Sequence, residues 1–327
     1  IEIFENIGFN PIKSDYFNPI KNNYYTNDTD IKNRLINKLF RNLDNLDKDE
    51  QKELKDSIFL FVINHIREYN QYMEIAYKSN PFKEKSYIDF SNQKMTLVSN
   101  RILPKIPKEI IDEDIINDFK GHFDIDTMLD FILAARFGDT KKAYMWFRAP
   151  SDFGKSFFFQ GILGDLGITT VITESELKQS YKGSPSGWNI EMFKNSFLLF
   201  VDEFSSNVKE FKNITHELSF SPKYRGKVSV DVYAKIFASA ENVRSLNADG
   251  FIEEQYLNRF TFWREEKRKL TDRKMYVDNQ LKYKEVIQWY TYNYLNEKIK
   301  KYIELGEYES HNEANRELTR IIKSKPM

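Results

Sequence analysis

The chain has 327 residues, 41% of them hydrophobic and 30% charged, so it is long enough for two or three domains and apolar enough for a sizeable core. Its 49 basic and 49 acidic residues cancel, which removes any global charge argument for nucleic-acid binding and leaves only the possibility of a local basic patch. Cysteine is absent, which excludes disulfides and thiolate metal sites and permits a reducing compartment; His65, His122, His216 and His311 lack metal-ligand spacing and are expected to be ordinary surface or core residues.

No apolar run approaches the roughly 20 residues of a membrane span. The first residues mix Glu, Asn and Lys with apolar ones, unlike a secretory signal. A cytoplasmic protein is expected, in the host cytoplasm if the source is viral. The start at Ile1 fits either a piece of a longer polypeptide or a trimmed chain.

In chain order, residues 18–30 are polar and turn-rich. Ile31, Leu35, Ile36, Leu39, Phe40 and Leu43 then recur at helical spacing. Asp47, with Glu50 three residues on, is placed to cap a longer helix through Leu54, Ile58, Phe61, Val62, His65 and Tyr69. Residues 87–98 read as a hairpin around Ser91-Asn92, and Pro104 and Pro107 mark a connection. Ile125, Met128, Leu129, Phe131, Ile132 and Ala135 define an amphipathic helix over 124–137, stopped by Gly138. Short apolar runs at 143–147, 169–172, 197–201, 236–238 and 260–263 alternate with helical stretches. Runs of that length are typical of buried parallel strands, and the alternation predicts a layered α/β domain. The tail is charged and helical, with Tyr283, Val286, Ile287, Tyr290, Tyr294 and Leu295 in period. The expected organisation is a mainly helical region over 1–122, an α/β domain over 123–268 and a helical extension over 269–327.

The run at 143–147 leads directly into Ala149-Pro150-Ser151-Asp152-Phe153-Gly154-Lys155-Ser156, and residues 157–166 look helical. Strand, loop and helix are the context a phosphate-binding P-loop requires. Gly154 permits the turn that points consecutive N–H groups at phosphates, and the helix N-terminus adds partial positive charge. Lys155 would reach the β- and γ-phosphates of ATP, and Ser156 would give its hydroxyl to Mg2+. Ala149 stands where glycine is usual; a small residue there is compatible with the loop. The apolar run ending at Val201 delivers Asp202 and Glu203. Asp202 would hold Mg2+ through water and Glu203 would polarise the attacking water. Phe157, Phe158 and Phe159 are read as facing the core.

The order of these motifs resembles the superfamily 3 helicases, AAA+-type ring ATPases of viruses, phages and plasmids that are often fused to a primase or an origin-binding domain. The resemblance covers roughly residues 123–263. Besides the P-loop and the Asp202-Glu203 strand, residues 211–230 look like the family's B-prime motif, a helix and then a β-hairpin with a basic tip. Here the basic residues are Lys223, Arg225 and Lys227, with Tyr224 among them. Leu218-Ser219-Phe220 stands where that family often has glycines. The run from Lys235 to Asn242 looks like motif C, with Asn242 as the sensor beside the γ-phosphate, and Arg259 sits where such helicases carry an arginine finger. Arg244, Arg264 and Arg268 are rivals for that role.

The resemblance implies a P-loop AAA+-like parallel sheet with helical flanks, using ATP and Mg2+. It implies a replicative helicase of phage or plasmid type, in which a homo-oligomer, six-membered by analogy, translocates on single-stranded DNA contacted by Lys223, Tyr224, Arg225 and Lys227. The N-terminal region would be a collar for oligomerisation or a linker to an upstream domain, for which a primase or polymerase is one candidate. The alternatives are a ring ATPase for packaging, transposition or defence, and a non-hydrolysing nucleotide-binding assembly module.

Overall fold

The computed structural model describes residues 5–21, 23–37, 46–83, 85–99, 103–138, 143–175, 197–202, 204, 217–220, 227–231, 235–240, 247–248, 251–252, 258–266 and 268–324. Contacts divide the chain into two compact units. The first comprises Ile1–Asn100 with Ser219–Asp231, and the second Arg101–Leu218 with Val232–Met327.

In the first unit the polar, turn-rich start forms a three-stranded antiparallel sheet: β1 Gly8–Asn10, β2 Asp15–Asn18 and β3 Asn23–Tyr25. Asparagines make its corners. The Asn10 side chain accepts from the backbone N–H groups of Ile12 and Lys13, and Asn18 does the same for Ile20 and Lys21. Such Asx turns let a strand reverse without glycine. The helix expected from Ile31 onward begins as α1, Asp28–Ile31, and runs on as a π-helical turn, Lys32–Ile36; its expected continuation through Leu39, Phe40 and Leu43 lies outside the described residues. Helix α2, Lys48–Tyr69, opens on the full capping box of Asp47 and Glu50. Its buried face is Val62, Ile63 and Ile66, packed with Ile7, Tyr16, Tyr25, Ile31 and Ile36. Leu54, Phe61 and Tyr69, expected on that face, are exposed instead. The contacts that select the face come from β1–β3, which the helical period does not encode.

The second sheet of this unit contains β4 Glu74–Ser79, β5 Tyr87–Ser91 and β6 Lys94–Ser99, completed by β10 Glu217–Phe220 and β11 Lys227–Asp231, in the order β10-β11-β4-β6-β5. Strands β5 and β6 form the expected antiparallel hairpin. Its two turn residues, Asn92 and Gln93, have φ of 52° and 58°. Two left-handed residues in a two-residue loop match the right-handed twist of the flanking strands. Strand β4 runs parallel to both β6 and β11.

The second unit is built on a five-stranded sheet of β7 Tyr144–Arg148, β8 Thr169–Ile172, β9 Leu198–Val201, β12 Lys235–Ala240 and β15 Phe260–Arg264. Its order is β15-β7-β12-β9-β8, and every pairing is parallel. These are the five apolar runs of the sequence. Strand β9 is buried along its whole length, and β7 is buried except at Arg148. Trp146, Phe147, Phe159 and Phe200 are among the largest wholly buried side chains, with Phe159 and Phe200 stacked 4.6 Å apart. A short antiparallel pair, β13 Asn247–Ala248 and β14 Phe251–Ile252, lies between β12 and β15 in sequence.

Around the sheet lie α3 Glu113–His122, capped by Asp112, and α4 Ile125–Phe137, capped by Asp124 and ended at Gly138 as expected. The helix after the P-loop, α5, is π-helical over Phe157–Ile162 and α-helical over Leu163–Asp165. The tail folds as α6 Lys274–Asp278, α7 Gln280–Leu305 and α8 Glu307–Ser324. Helix α7 is joined to α3 and α4 by a polar seam. The hydroxyls of Tyr283 and Tyr294 donate to Asp118 and Asp130 at 2.8 Å, and that of Tyr290 donates to Asp126. Burial, reinforced by Asp126, pushes the Tyr290 hydroxyl up to about 12. Among the described residues no helix is long and apolar enough to cross a membrane.

Candidate nucleotide-binding site

Strand β7 lies inside the sheet and ends at Arg148, so the loop that follows emerges at the carboxyl edge between β15 and β12. In open parallel sheets, ligands bind outside the carboxyl ends of the strands, where the strand order reverses. The chain leaves β7 for the far edge strand β8 and later returns to both sides of β7, which makes this such a point.

The loop has a specific backbone shape. Asp152 and Gly154 have φ of 61° and 98°. Asp tolerates the left-handed region; at Gly154 a Cβ would stand 2.8 Å from Leu270 Cδ2. Phe153 between them is buried and anchors the loop, its ring against Phe123 and Phe147 and stacked 4.8 Å from His122. His122 Nε2 lies 2.8 Å from the Phe153 carbonyl. Burial holds the imidazole below its ordinary pKa, so the neutral ring donates Nε2–H to that carbonyl. From the other side, Leu270 N–H donates to the Asp152 carbonyl at 2.8 Å.

Lys155 folds back, its Nζ 3.4 Å from the Ala149 carbonyl, at the start of α5, where first-turn N–H groups have no intrahelical acceptor. Ser156 Oγ donates to Asp202 Oδ2 at 3.0 Å, joining the P-loop serine to the residue that follows β9. Gln160 Nε2 donates to the same oxygen at 3.3 Å, and Ser239 Oγ to Asp202 Oδ1 at 2.5 Å. Register explains the last bond. Val201 pairs with Ala238, so the next residues, Asp202 and Ser239, come side by side just past the end of β9 and one residue before the end of β12. A serine hydroxyl next to a carboxylate is a hard-oxygen donor set of the kind Mg2+ accepts, with phosphate oxygens and water completing the shell. Among the described residues no group of three or more His, Cys, Asp or Glu could hold a metal.

A cavity of about 320 Å3 opens over this constellation, lined by residues 151–157, Asp202, Leu270, Thr271 and Tyr276. Phe158 and Phe159 are buried, as expected of core-facing rings; Phe157 instead lines the cavity. Consecutive helical residues point about 100° apart, so three phenylalanines in a row cannot all face one core.

Of the other anticipated site residues, Glu203, Asn242, Lys223, Tyr224 and Arg225 lie outside the described residues. Lys227 opens β11 opposite Glu74. Arg259 immediately precedes β15, whose first residue pairs with Tyr144, the first of β7. It therefore sits at the amino edge of the sheet, about 16 Å of strand from the P-loop edge. Of its rivals, Arg268 donates to the carbonyls of Gly121 and His122, Arg264 pairs with Glu266 at 2.7 Å, and Arg244 lies outside the described residues. His122, Gln160, Ser239, Leu270, Thr271 and Tyr276 join the site with no motif to announce them. The nearest signal is the position of Ser239 close to the end of an apolar run.

No protein-family model and no curated protein matches the chain. Among solved structures it is similar to the apo A form of the NrS-1 C-terminal region, residues 305–718, with 13% identity and a TM-score of 0.46 over 84% of this chain and 66% of that one. The chain thus spans just under two thirds of that structure's length. The fold stands on the strand order and register, not on that likeness.

Proposed function

We propose that this chain is an Mg2+-dependent ATPase that works as a ring-forming replicative DNA helicase of the superfamily 3 type. The observation that carries the ATPase reading is the bond from Ser156 to Asp202 at the carboxyl edge of a parallel sheet, with Lys155 and a left-handed loop beside it. Backbone N–H groups of 154–156 and the Lys155 ammonium bind the phosphates, while Ser156 and Asp202 hold Mg2+. The cation, when bound, neutralises charge that develops on the phosphates. Glu203 follows Asp202 in sequence and takes the role of orienting and polarising the lytic water, with Asn242 beside the γ-phosphate. Arg259 is at the opposite sheet edge from its own P-loop, so it serves a neighbouring subunit's nucleotide. The helicase part of the reading rests on the motif order, with Lys223, Tyr224, Arg225 and Lys227 contacting single-stranded DNA through phosphates and stacking.

The test is ATP hydrolysis by wild type and Lys155→Ala, each with and without single-stranded DNA. Hydrolysis that DNA stimulates and Lys155→Ala abolishes is the expected result. An assembled wild-type protein inactive in every condition would overturn the motor and leave a nucleotide-binding assembly module. Hydrolysis that is indifferent to single-stranded DNA but stimulated by duplex would move the protein to a packaging or transposition motor.

A further inference from the structure

We infer that the wall of the cavity formed by Leu270, Thr271 and Tyr276 is the nucleobase subsite, with the base lying against the Tyr276 ring; this rests on the nucleotide reading of the P-loop. The cavity has two chemically distinct walls. One carries Lys155, Ser156 and Asp202 and suits a triphosphate with its cation. The other comes from the segment after β15 and presents the Leu270 side chain and the Tyr276 ring, with the hydroxyls of Thr271 and Tyr276 as its polar groups. A ligand that fills both is anionic at one end and flat and apolar-faced at the other, which is a nucleoside triphosphate.

The second wall is built, not incidental. Leu270 is buried, its N–H bonded to the Asp152 carbonyl and its side chain against Gly154. The turn Leu270–Asp272 closes through Arg273 N–H to the Leu270 carbonyl at 3.0 Å, and Arg273 pairs with Asp118 at 3.2 Å. The half-buried Tyr276 ring is held edge-on by Phe157 at 5.3 Å and by Tyr283 at 5.5 Å. Tyr283 is itself wholly buried and bonded to Asp118. A ring fixed in this way loses little freedom when a base stacks on it. Stacking on an aromatic side chain contributes about 1–3 kcal/mol per base and tolerates any base, because each has a π-face.

The experiment is calorimetric titration, in Mg2+, of wild type, Tyr276→Ala, Tyr276→Leu and Tyr276→Phe with a non-hydrolysable ATP analogue and with inorganic tripolyphosphate. Tyr276→Ala should lose about tenfold in affinity for the analogue, about 1.4 kcal/mol, and nothing for tripolyphosphate. Tyr276→Phe should behave as wild type. Tyr276→Leu keeps the bulk that supports Phe157 and should show the same selective loss, which covers the case in which the alanine variant unfolds. Equal loss for both ligands, or none for either, would overturn the base subsite while the phosphate site stands. A wild type that binds neither ligand would instead refute the nucleotide reading itself.

Discussion

Ser239→Ala is the most informative single change at the site. Ser239 has no exposed surface, and its hydroxyl donates to Asp202 Oδ1 at 2.5 Å. Removing one oxygen leaves the backbone pairing of β12 with β7 and β9 untouched. A hydrogen bond to a charged group contributes about 1.5–3 kcal/mol. Asp202 is half-buried and retains Ser156 and Gln160 as donors, so the lower end applies, about 1.5 kcal/mol or roughly tenfold. That loss falls on the orientation of the carboxylate and, on the proposed reading, on the Mg2+ it would hold. In Mg2+ titrations of ATP hydrolysis at saturating ATP, the half-saturating Mg2+ concentration should rise roughly tenfold. Nucleotide affinity in EDTA should be unchanged. A folded variant with wild-type Mg2+ dependence, or one that loses metal-free affinity to the same extent, would refute the reasoning.

Three further outcomes follow from local geometry. Gly154→Ala places a side chain at φ 98° and 2.8 Å from Leu270, and should cost at least about 1–2 kcal/mol in denaturant unfolding while weakening tripolyphosphate binding. Wild-type stability and affinity would contradict the loop conformation. His122 has its pKa lowered by burial, and its Nδ1 is buried without a partner among the described residues, so the unfolded chain takes up a proton near pH 6.5 that the folded one resists. Stability should therefore fall as pH drops below about 6.5 toward the lowered folded value. His122→Gln should flatten that part of a melting-temperature profile between pH 7.5 and 5; an unchanged slope would count against it. Asp47→Ala removes a capping box and should cost about 1 kcal/mol in urea unfolding, whereas Asp47→Ser should recover most of it.

What was legible in the sequence was whatever a contiguous window encodes. Strands β7 and β9 showed themselves because burial on both faces demands unbroken apolar runs, the shorter runs of β8, β12 and β15 marked the others, and the P-loop did because its shape comes from eight consecutive residues. The hairpin of β5 and β6 needed only alternation and two turn residues. Strands β1–β3 were hidden because asparagine corners and polar edges dominate their composition. The apolar positions of α2 were visible, but not which of them would be buried, since β1–β3 select the face. Ser239, Leu270 and Tyr276 entered the site through register and through a return of the chain more than a hundred residues after the P-loop, and neither leaves a local pattern. Phe157, Phe158 and Phe159 point in three directions because consecutive helical residues are about 100° apart, so three identical side chains in a row cannot tell which of them faces the cavity.

The position of β11 bears on how the protein is made. Strand β4 is paired on one side by β6, which follows within the same stretch of chain, and on the other by β11, Lys227–Asp231. A ribosome finishes β4, β5 and β6 roughly ten seconds before it delivers β11, at elongation rates of about 5–20 residues per second. Throughout that interval β4 is an open edge carrying Ile75 and Tyr77, the kind of strand that recruits another chain's backbone. Fragments that stop between residues 100 and 219 inherit the same open edge permanently. They should self-associate, and a peptide spanning 217–231 supplied in trans should cap them.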